Sequence, residues 1–183
     1  LDRVLTRNDA RAGLVIDKVK EKLLDPLRAC GLGFCVSIAH AQYMADRFCR
    51  NGIPSAALTA DSSSEHRRTI QQRLVNREIN FIFAVDLYNE GVDIPEIDTV
   101  LFLRPTESLT VFLQQFGRGL RLCEGKDCLT VLDFVGQAHR SFRFEPRYRA
   151  LLDDPRRPVL REAEAGFPHL PAGCSLHFDQ SAS

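Results

Sequence analysis

The hydrophobic residues follow two alternating patterns over most of the chain. Five short and largely apolar runs predict β-strands at 34–38, 55–59, 80–85, 99–103 and 128–133. Between these runs, apolar residues recur at helical spacing around 41–48, around 70–74 and over 107–121. Strands that alternate with helices in this way predict βαβ units, with a parallel sheet flanked by helices on both faces. The predicted fold class is therefore α/β.

Two flanking segments differ from this alternation. Residues 1–30 are predicted to form a helical lead-in, which Asn8 or Asp9 can cap. Its apolar residues recur four positions apart, at Val15, Val19, Leu23 and Leu27. From 145 onward, prolines and glycines interrupt any regular pattern, which predicts a linker and the beginning of a following domain over 145–183. The predicted core domain is 31–144.

Composition narrows the class of protein. The chain has 183 residues, of which 44% are hydrophobic and 26% charged, as in a folded domain with a tail. It has no apolar run of about 18 residues, which excludes a membrane span, and its first residues lack the apolar segment of a secretory signal. We therefore expect no membrane partner and a cytoplasmic location. The 24 basic and 24 acidic residues balance, so net charge does not predict a nucleic-acid partner.

The cysteines and histidines do not indicate a metal site. The six cysteines form no C-x2-C pair, and the five histidines lack the spacing of metal ligands or of a paired nucleophile. We expect the cysteines to be reduced thiols.

The predicted helix over 107–121 contains the first candidate site. Its apolar stripe consists of Leu109, Phe112, Leu113, Phe116 and Leu120. At about 100° per residue, Gln114, Arg118 and Arg121 lie together on the opposite face. A solvated polar face is the alternative, but Gly117 and Gly119 each cost a helix interior about 1 kcal/mol and leave bare backbone beside Arg118. The pattern favours a ligand that approaches closely, and arginine suits a phosphate because it binds in a bidentate fork.

The second candidate site follows the predicted strand at 80–85. In a sheet of this kind, ligands bind where loops leave the carboxyl ends of the strands. Gly91 permits a sharp backbone turn there, and Asp93 can accept hydrogen bonds from a ribose hydroxyl. The alternative is an ordinary turn, in which Asp93 bonds to its own backbone ahead of Pro95.

Four segments, in order, resemble the motifs of superfamily 2 helicases. They are Phe34-Cys-Val-Ser37, Leu58-Thr-Ala-Asp61, Gly91-Val-Asp-Ile-Pro95 and Gln114-Gln-Phe-Gly-Arg-Gly-Leu-Arg121. The first resembles motif IV, the second the segment after it, and the last two motifs V and VI. More narrowly, longer stretches such as VDLYNEGVDIPEIDTVLFLRPTES are similar to bacterial helicases with an N-terminal phospholipase-D-like nuclease domain.

The resemblance, which covers about 34–135, implies a RecA-like domain that forms the C-terminal lobe of a two-lobed ATP-dependent motor. ATP and Mg²⁺ would be bound mainly by an N-terminal RecA-like lobe of the same parent chain. Arg118 and Arg121 would be arginine fingers, supported by Gln114. The residues implied near ATP and its ribose are Gly91, Asp93 and Gly117. Because no G-x-x-x-x-G-K-[ST] loop occurs, this chain alone is predicted to lack ATPase activity.

The resemblance also implies a nucleic-acid partner, for which we expect DNA. The contacts would come from strand-end loops, through Ser37, His40, Thr59 and Asp86. Small hydroxyls and backbone N–H groups can hold phosphates without a net positive charge. Two other functions stay open: a RecA-like protein-binding module without ATPase activity, and a free-standing enzyme that binds a mononucleotide.

Overall fold

The structure, a computed structural model, describes residues 8–59, 61–85, 94–104, 126 and 128–134. All of them belong to one of the two compact units into which the chain divides. The helices are α1 (Asp9–Lys22), α2 (Ile38–Arg50) and α3 (Ser64–Val75), with a 3-10 turn at Pro26–Arg28. The strands are β1 (Gly31–Phe34), β2 (Ser55–Leu58), β3 (Phe81–Ala84), β4 (Thr99–Phe102) and β5 (Thr130–Asp133).

The five strands form one parallel sheet in the order β2-β3-β1-β4-β5, which confirms the predicted fold class. Their registers align the last residue of every strand in a single row. That row is Leu58, Ala84, Phe34, Phe102 and Asp133. The loops that leave the five strands therefore start at one edge, which we call the carboxyl edge.

Helices cover the two faces of the sheet. Connections between parallel strands are right-handed, and β1–α2–β2 runs along the sheet in the opposite direction to β2–α3–β3. Consequently α2 and α3 lie on opposite faces. The apolar side of α1 packs on the same face of the sheet as α2. There Val15 and Val19 lie in one cluster with Phe48, Phe83 and Leu101. In the described part of the chain, no helix is long and apolar enough to cross a membrane.

Two glycines of the central strand make room for two aromatic rings of its neighbour. Gly31 and Gly33 of β1 lie beside Phe81 and Phe83 of β3 in the register. A Cβ at Gly31 would lie 2.2 Å from the Phe81 ring, and one at Gly33 would lie 2.5 Å from the Phe83 ring. The Phe48 ring of α2 packs edge-on against both rings, at centroid distances of 5.2 and 4.8 Å. Phe48 therefore holds both rings in place over the central strand.

The predicted position of the first strand was wrong. The apolar run predicted a strand over 34–38, whereas β1 ends at Phe34 and α2 begins at Ile38. The strand starts earlier, at Gly31, because aromatic rings of β3 fill the space that side chains at Gly31 and Gly33 would occupy. It ends earlier because Ser37 is the N-cap of α2, where its Oγ accepts the His40 N–H at 3.2 Å.

Within the segment predicted as a helical lead-in, the structure has the helix α1 over Asp9–Lys22. Asn8 is the N-cap, and its side chain accepts the Arg11 N–H at 3.0 Å. The helix ends at Lys22, and Leu27 is 54% exposed in the 3-10 turn that Asp25 caps. The break is expected ahead of Pro26, since proline disfavours a helical conformation in the residue before it. The domain boundary at 30/31 stays a prediction, and that at 144/145 lies outside the described residues.

Side chains fasten the amino edge of the sheet, opposite the carboxyl edge. Asp98 Oδ1 accepts the Cys30 N–H at 2.9 Å and the Thr99 hydroxyl at 2.8 Å. Its Oδ2 accepts a guanidinium N–H of Arg77 at 3.2 Å. Asn80 Nδ2 donates to the Leu27 carbonyl at 2.6 Å, which ties the start of β3 to the turn before β1. Three strands are therefore held in register at this edge by two side chains.

Candidate functional site

Three of the candidate residues lie within the described part of the carboxyl edge. Ser37 and His40 follow β1, and Thr59 follows β2 directly. β3 lies between β1 and β2 in the sheet, so these two strand ends are about 10 Å apart at the usual strand spacing. This span is comparable to that of a short stretch of nucleic-acid backbone.

Ser37 lies at the point where the chain leaves β1 and turns into α2. Its backbone is extended, with φ −151° and ψ 162°, as is usual for an N-cap. The side chain is half-buried. Because the first-turn N–H groups of a helix carry partial positive charge, this corner is favourable to a phosphate group.

His40 is buried, whereas a direct contact with a phosphate requires an accessible side chain. The residue is only 2% exposed, and its Nδ1 accepts the Val36 N–H at 3.4 Å. The ring thus supports the backbone between β1 and Ser37 from inside the domain. A direct contact of His40 with nucleic acid stays a prediction, and this geometry supports a positioning role instead. Its burial follows from its place on the inner side of α2, with Met44 four positions on.

Thr59 begins a hydroxyl-rich turn after β2. Its N–H donates to Ser62 Oγ at 3.2 Å, and the two hydroxyl oxygens are 3.5 Å apart. The segment Ser62-Ser-Ser-Glu65 is typical of a capping box in which Ser62 is the N-cap of the next helix, but in the structure the N-cap lies one residue later. Ser63 is the N-cap of α3 and accepts the His66 N–H at 3.2 Å, because Ser62 already bonds to Thr59.

Sequence reasoning missed one basic residue at this edge. Arg104 follows β4 by two positions and is half-buried. Burial raises the pKa of the Cys35 thiol at the end of β1, and the charge of Arg104 acts against this shift. Arg104 therefore lies close enough to the β1 end to influence its electrostatics. Its position just past an apolar strand, like those of Ser37 and Thr59, is the signal that could have found it.

The other candidate residues lie outside the described residues. They are Asp86, Gly91, Asp93, Gln114, Gly117, Arg118 and Arg121. Asp86 comes directly after Val85, the residue at which the description of the β3 end stops. Among the described residues, no three His, Cys, Asp or Glu side chains lie close enough together to hold a metal ion.

Residues 17–123 match the family described as the helicase conserved C-terminal domain. The chain belongs to this family. The match spans more than half of the chain and contains all four segments that resemble helicase motifs. It begins inside α1, so the first turns of that helix lie outside it.

Two fungal relatives support the same family. IRC3 of Saccharomyces cerevisiae, whose name describes an ATP-dependent helicase, is 38% identical over 103 residues, which are 56% of this chain and 15% of that protein. Its namesake in Schizosaccharomyces pombe, named as mitochondrial, is 32% identical over 158 residues, which are 84% of this chain and 26% of that protein. The chain therefore spans about a quarter or less of the length of these relatives.

Solved structures support the fold. The C-terminal domain of the DEAD-box protein Dbp5 superposes with a TM-score of 0.60 at 12% identity, over 79% of this chain and 78% of that one. At this identity the likeness concerns the fold alone. It confirms the predicted RecA-like fold.

Proposed function

We propose that this domain is the C-terminal motor lobe of a larger ATP-dependent helicase or translocase. One observation carries the proposal: the loops after β1, β2 and β3 start from one row at the carboxyl edge, in a chain of the helicase C-terminal family. Loops at this edge are where open α/β sheets bind ligands. A motor lobe needs such an edge, because nucleotide and nucleic acid must be contacted by one rigid body.

In this proposal, ATP binds between this lobe and an N-terminal RecA-like lobe of the parent chain. Arg118 and Arg121 reach the transferred phosphoryl group as arginine fingers, and Gln114 supports them. An arginine finger can raise the rate of phosphoryl transfer by about 10³–10⁵, because it neutralises charge that develops in the transition state. The residues proposed near ATP and its ribose are Gly91, Asp93 and Gly117. We assign Mg²⁺ no ligand in this domain.

Nucleic acid, which we propose to be DNA, would be held through its phosphates. Ser37 and Thr59 offer hydroxyls at two strand ends, and Asp86 follows the strand between them. Contacts of this kind fix the position of a nucleic-acid strand and carry no sequence information. We therefore expect binding without marked sequence preference that weakens with salt.

The decisive experiment measures ATP turnover by the complete parent protein, with and without DNA, in Arg118→Ala and Arg121→Ala variants. We expect turnover to fall by at least about 10³-fold in each variant. Arg50→Ala is the matched control, because Arg50 is an exposed arginine that pairs with Asp46 at 3.0 Å on the surface of α2. Control and variants should melt at similar temperatures. Turnover that is unchanged in both variants, or equally reduced in the control, would contradict the assignment and favour a protein-binding module.

Binding of single-stranded DNA by this chain tests the carboxyl edge separately. We expect Ser37→Ala and Thr59→Val each to weaken binding by about tenfold, the loss of one hydrogen bond to a charged phosphate. Equal affinity for an RNA strand of the same sequence would overturn the preference for DNA. Affinity that is unchanged in both variants would place the nucleic acid elsewhere on the domain.

A further inference from the structure

The first turns of α1 contact two separate elements of the domain. Asp9 accepts a hydrogen bond from the Tyr43 hydroxyl of α2, and its Oδ1 lies 3.6 Å from Nη1 of Arg47. Two residues further on, Arg11 Nη2 donates to the main-chain carbonyl of Phe134 at 2.9 Å. We call these five residues the α1 clasp. It connects the helix that follows Ser37 with the residue that follows β5.

Arg11 is held firmly enough to act as a fixed connection. Its side chain is half-buried, and burial lowers the pKa of the guanidinium while nearby Asp133 acts against this shift. Hydrogen bonds from a charged donor are stronger than neutral ones. Next to Arg11, the helix buries a stripe of Ala12, Val15, Ile16 and Val19, each at most 2% exposed. The helix therefore cannot shift along the domain without repacking the core.

Main-chain hydrogen bonds continue from Phe134 across the carboxyl edge. They run from the Phe134 N–H to Phe102 at 3.0 Å, from the Leu103 N–H to Phe34 at 3.0 Å and from the Cys35 N–H to Ala84 at 2.9 Å. Each bond joins the end of one strand to its neighbour, in the order β5, β4, β1, β3. The contact made by Arg11 is thus the outer end of a continuous series that reaches the two strand ends preceding Ser37 and Asp86.

We propose that Arg11 is a positioning residue that fixes the strand ends of the carboxyl edge relative to the start of α1. If the start of α1 moved, two contacts would transmit the movement to the loop at Ser37. One is the hydrogen bond from Arg11 to the Phe134 carbonyl, and the other is the contact of Asp9 with α2. The consequence for nucleic-acid binding rests on the proposed function, whereas the mechanical connection does not. Three residues of the clasp, Asp9, Arg11 and Phe134, lie outside the family match.

Amide hydrogen exchange of this chain, resolved to single residues, tests the connection. In Arg11→Met, which retains the apolar stem, we expect exchange at Phe134, Leu103 and Cys35 to speed up by about tenfold. Exchange at Gly31 and Thr99, on the amino edge of β1 and β4, should not change. Arg11→Lys should restore much of the protection, since an ammonium can still donate to one carbonyl. Lys18→Met is the control, because Lys18 lies on the same helix and pairs with Glu21 at 2.8 Å.

The pattern of exchange decides between positioning and a general structural role. Faster exchange confined to α1 and Phe134 would overturn the proposal, and so would equal acceleration at both edges. A second readout is the affinity for single-stranded DNA, which we expect to fall about threefold or more in Arg11→Met and much less in Arg11→Lys. If the unmodified chain binds no DNA while the exchange pattern holds, the proposed function fails and the mechanical connection stands.

Discussion

Replacing Gly31 by alanine tests the packing of the central strand most directly. The new Cβ would lie 2.2 Å from both Cδ1 and Cε1 of the Phe81 ring, whereas carbon atoms in contact are normally about 3.5–4.0 Å apart. The ring would have to move by more than an ångström. Phe81 is fully buried, with Phe48 at a centroid distance of 5.2 Å and Phe83 at 6.3 Å, so the space for such a movement is occupied.

The expected loss is large for the addition of one methyl group. Overpacking of a filled core costs about 1–3 kcal/mol, and a clash this deep with a locked ring should lie at the upper end. We therefore expect Gly31→Ala to lower the free energy of unfolding by about 3 kcal/mol. Urea denaturation followed by far-UV circular dichroism measures this quantity.

Two further variants show whether the clash is the cause. Gly13→Ala, in the interior of α1, adds a Cβ with nothing within 4 Å and should stabilise the domain by about 0.5–1 kcal/mol. Combining Gly31→Ala with Phe81→Leu should cost less than the sum of the single changes, because the smaller side chain makes room for the methyl group. A Gly31→Ala variant within about 0.5 kcal/mol of the unmodified chain would refute the reasoning.

The remaining predictions concern the buried thiols. Cys30 and Cys35 are buried whereas Cys49 and Cys128 are exposed. Iodoacetamide at pH 8 should therefore label Cys49 and Cys128 first, which peptide mass mapping would show. Rapid labelling of Cys30 in the folded chain would contradict this prediction. Burial raises the pKa of Cys30 to about 12, so above the ordinary thiol pKa of about 8.5 the unfolded chain releases a proton that the folded chain keeps. The free energy of unfolding should therefore fall with rising pH, by about 1.4 kcal/mol per pH unit for this thiol between its unfolded and folded pKa values. In a Cys30→Ala variant the free energy of unfolding should fall less steeply over this pH range. If the two proteins gave parallel curves of unfolding free energy against pH, the reasoning would be refuted.

Local sequence pattern predicted most of the sheet, because β2–β5 are short, largely apolar runs, of which β3 and β4 are buried throughout and β2 and β5 are mostly half-buried. It placed β1 incorrectly, since the suitability of Gly31 and Gly33 for a strand depends on rings that lie about fifty residues further along. A glycine in isolation favours a break in the pattern. Only the neighbouring strand in the folded sheet shows that a residue without a side chain is needed at this position.

The candidate site shows the same division between local and distant information. The resemblance to helicase motifs predicted that Ser37 lies in a strand-end loop, and in the structure Ser37 follows β1 at the carboxyl edge. The burial of His40 depends on which side of α2 faces the sheet. Arg11 could not have been singled out, because its partner Phe134 is 123 residues away in the sequence. Spacing therefore identified the edge but not the groups that hold it in place.

The Asp98 and Asn80 side chains at the amino edge have a consequence for protein engineering. They maintain the strand order from the side remote from the candidate site, through bonds to the backbone of Cys30 and Leu27. Strand alignment there does not depend on the composition of the loops at the opposite edge. Chimaeras that carry the loop after β1 or β2 from a related protein should thus keep the parallel sheet. We therefore expect that the loops at the carboxyl edge can be exchanged one at a time.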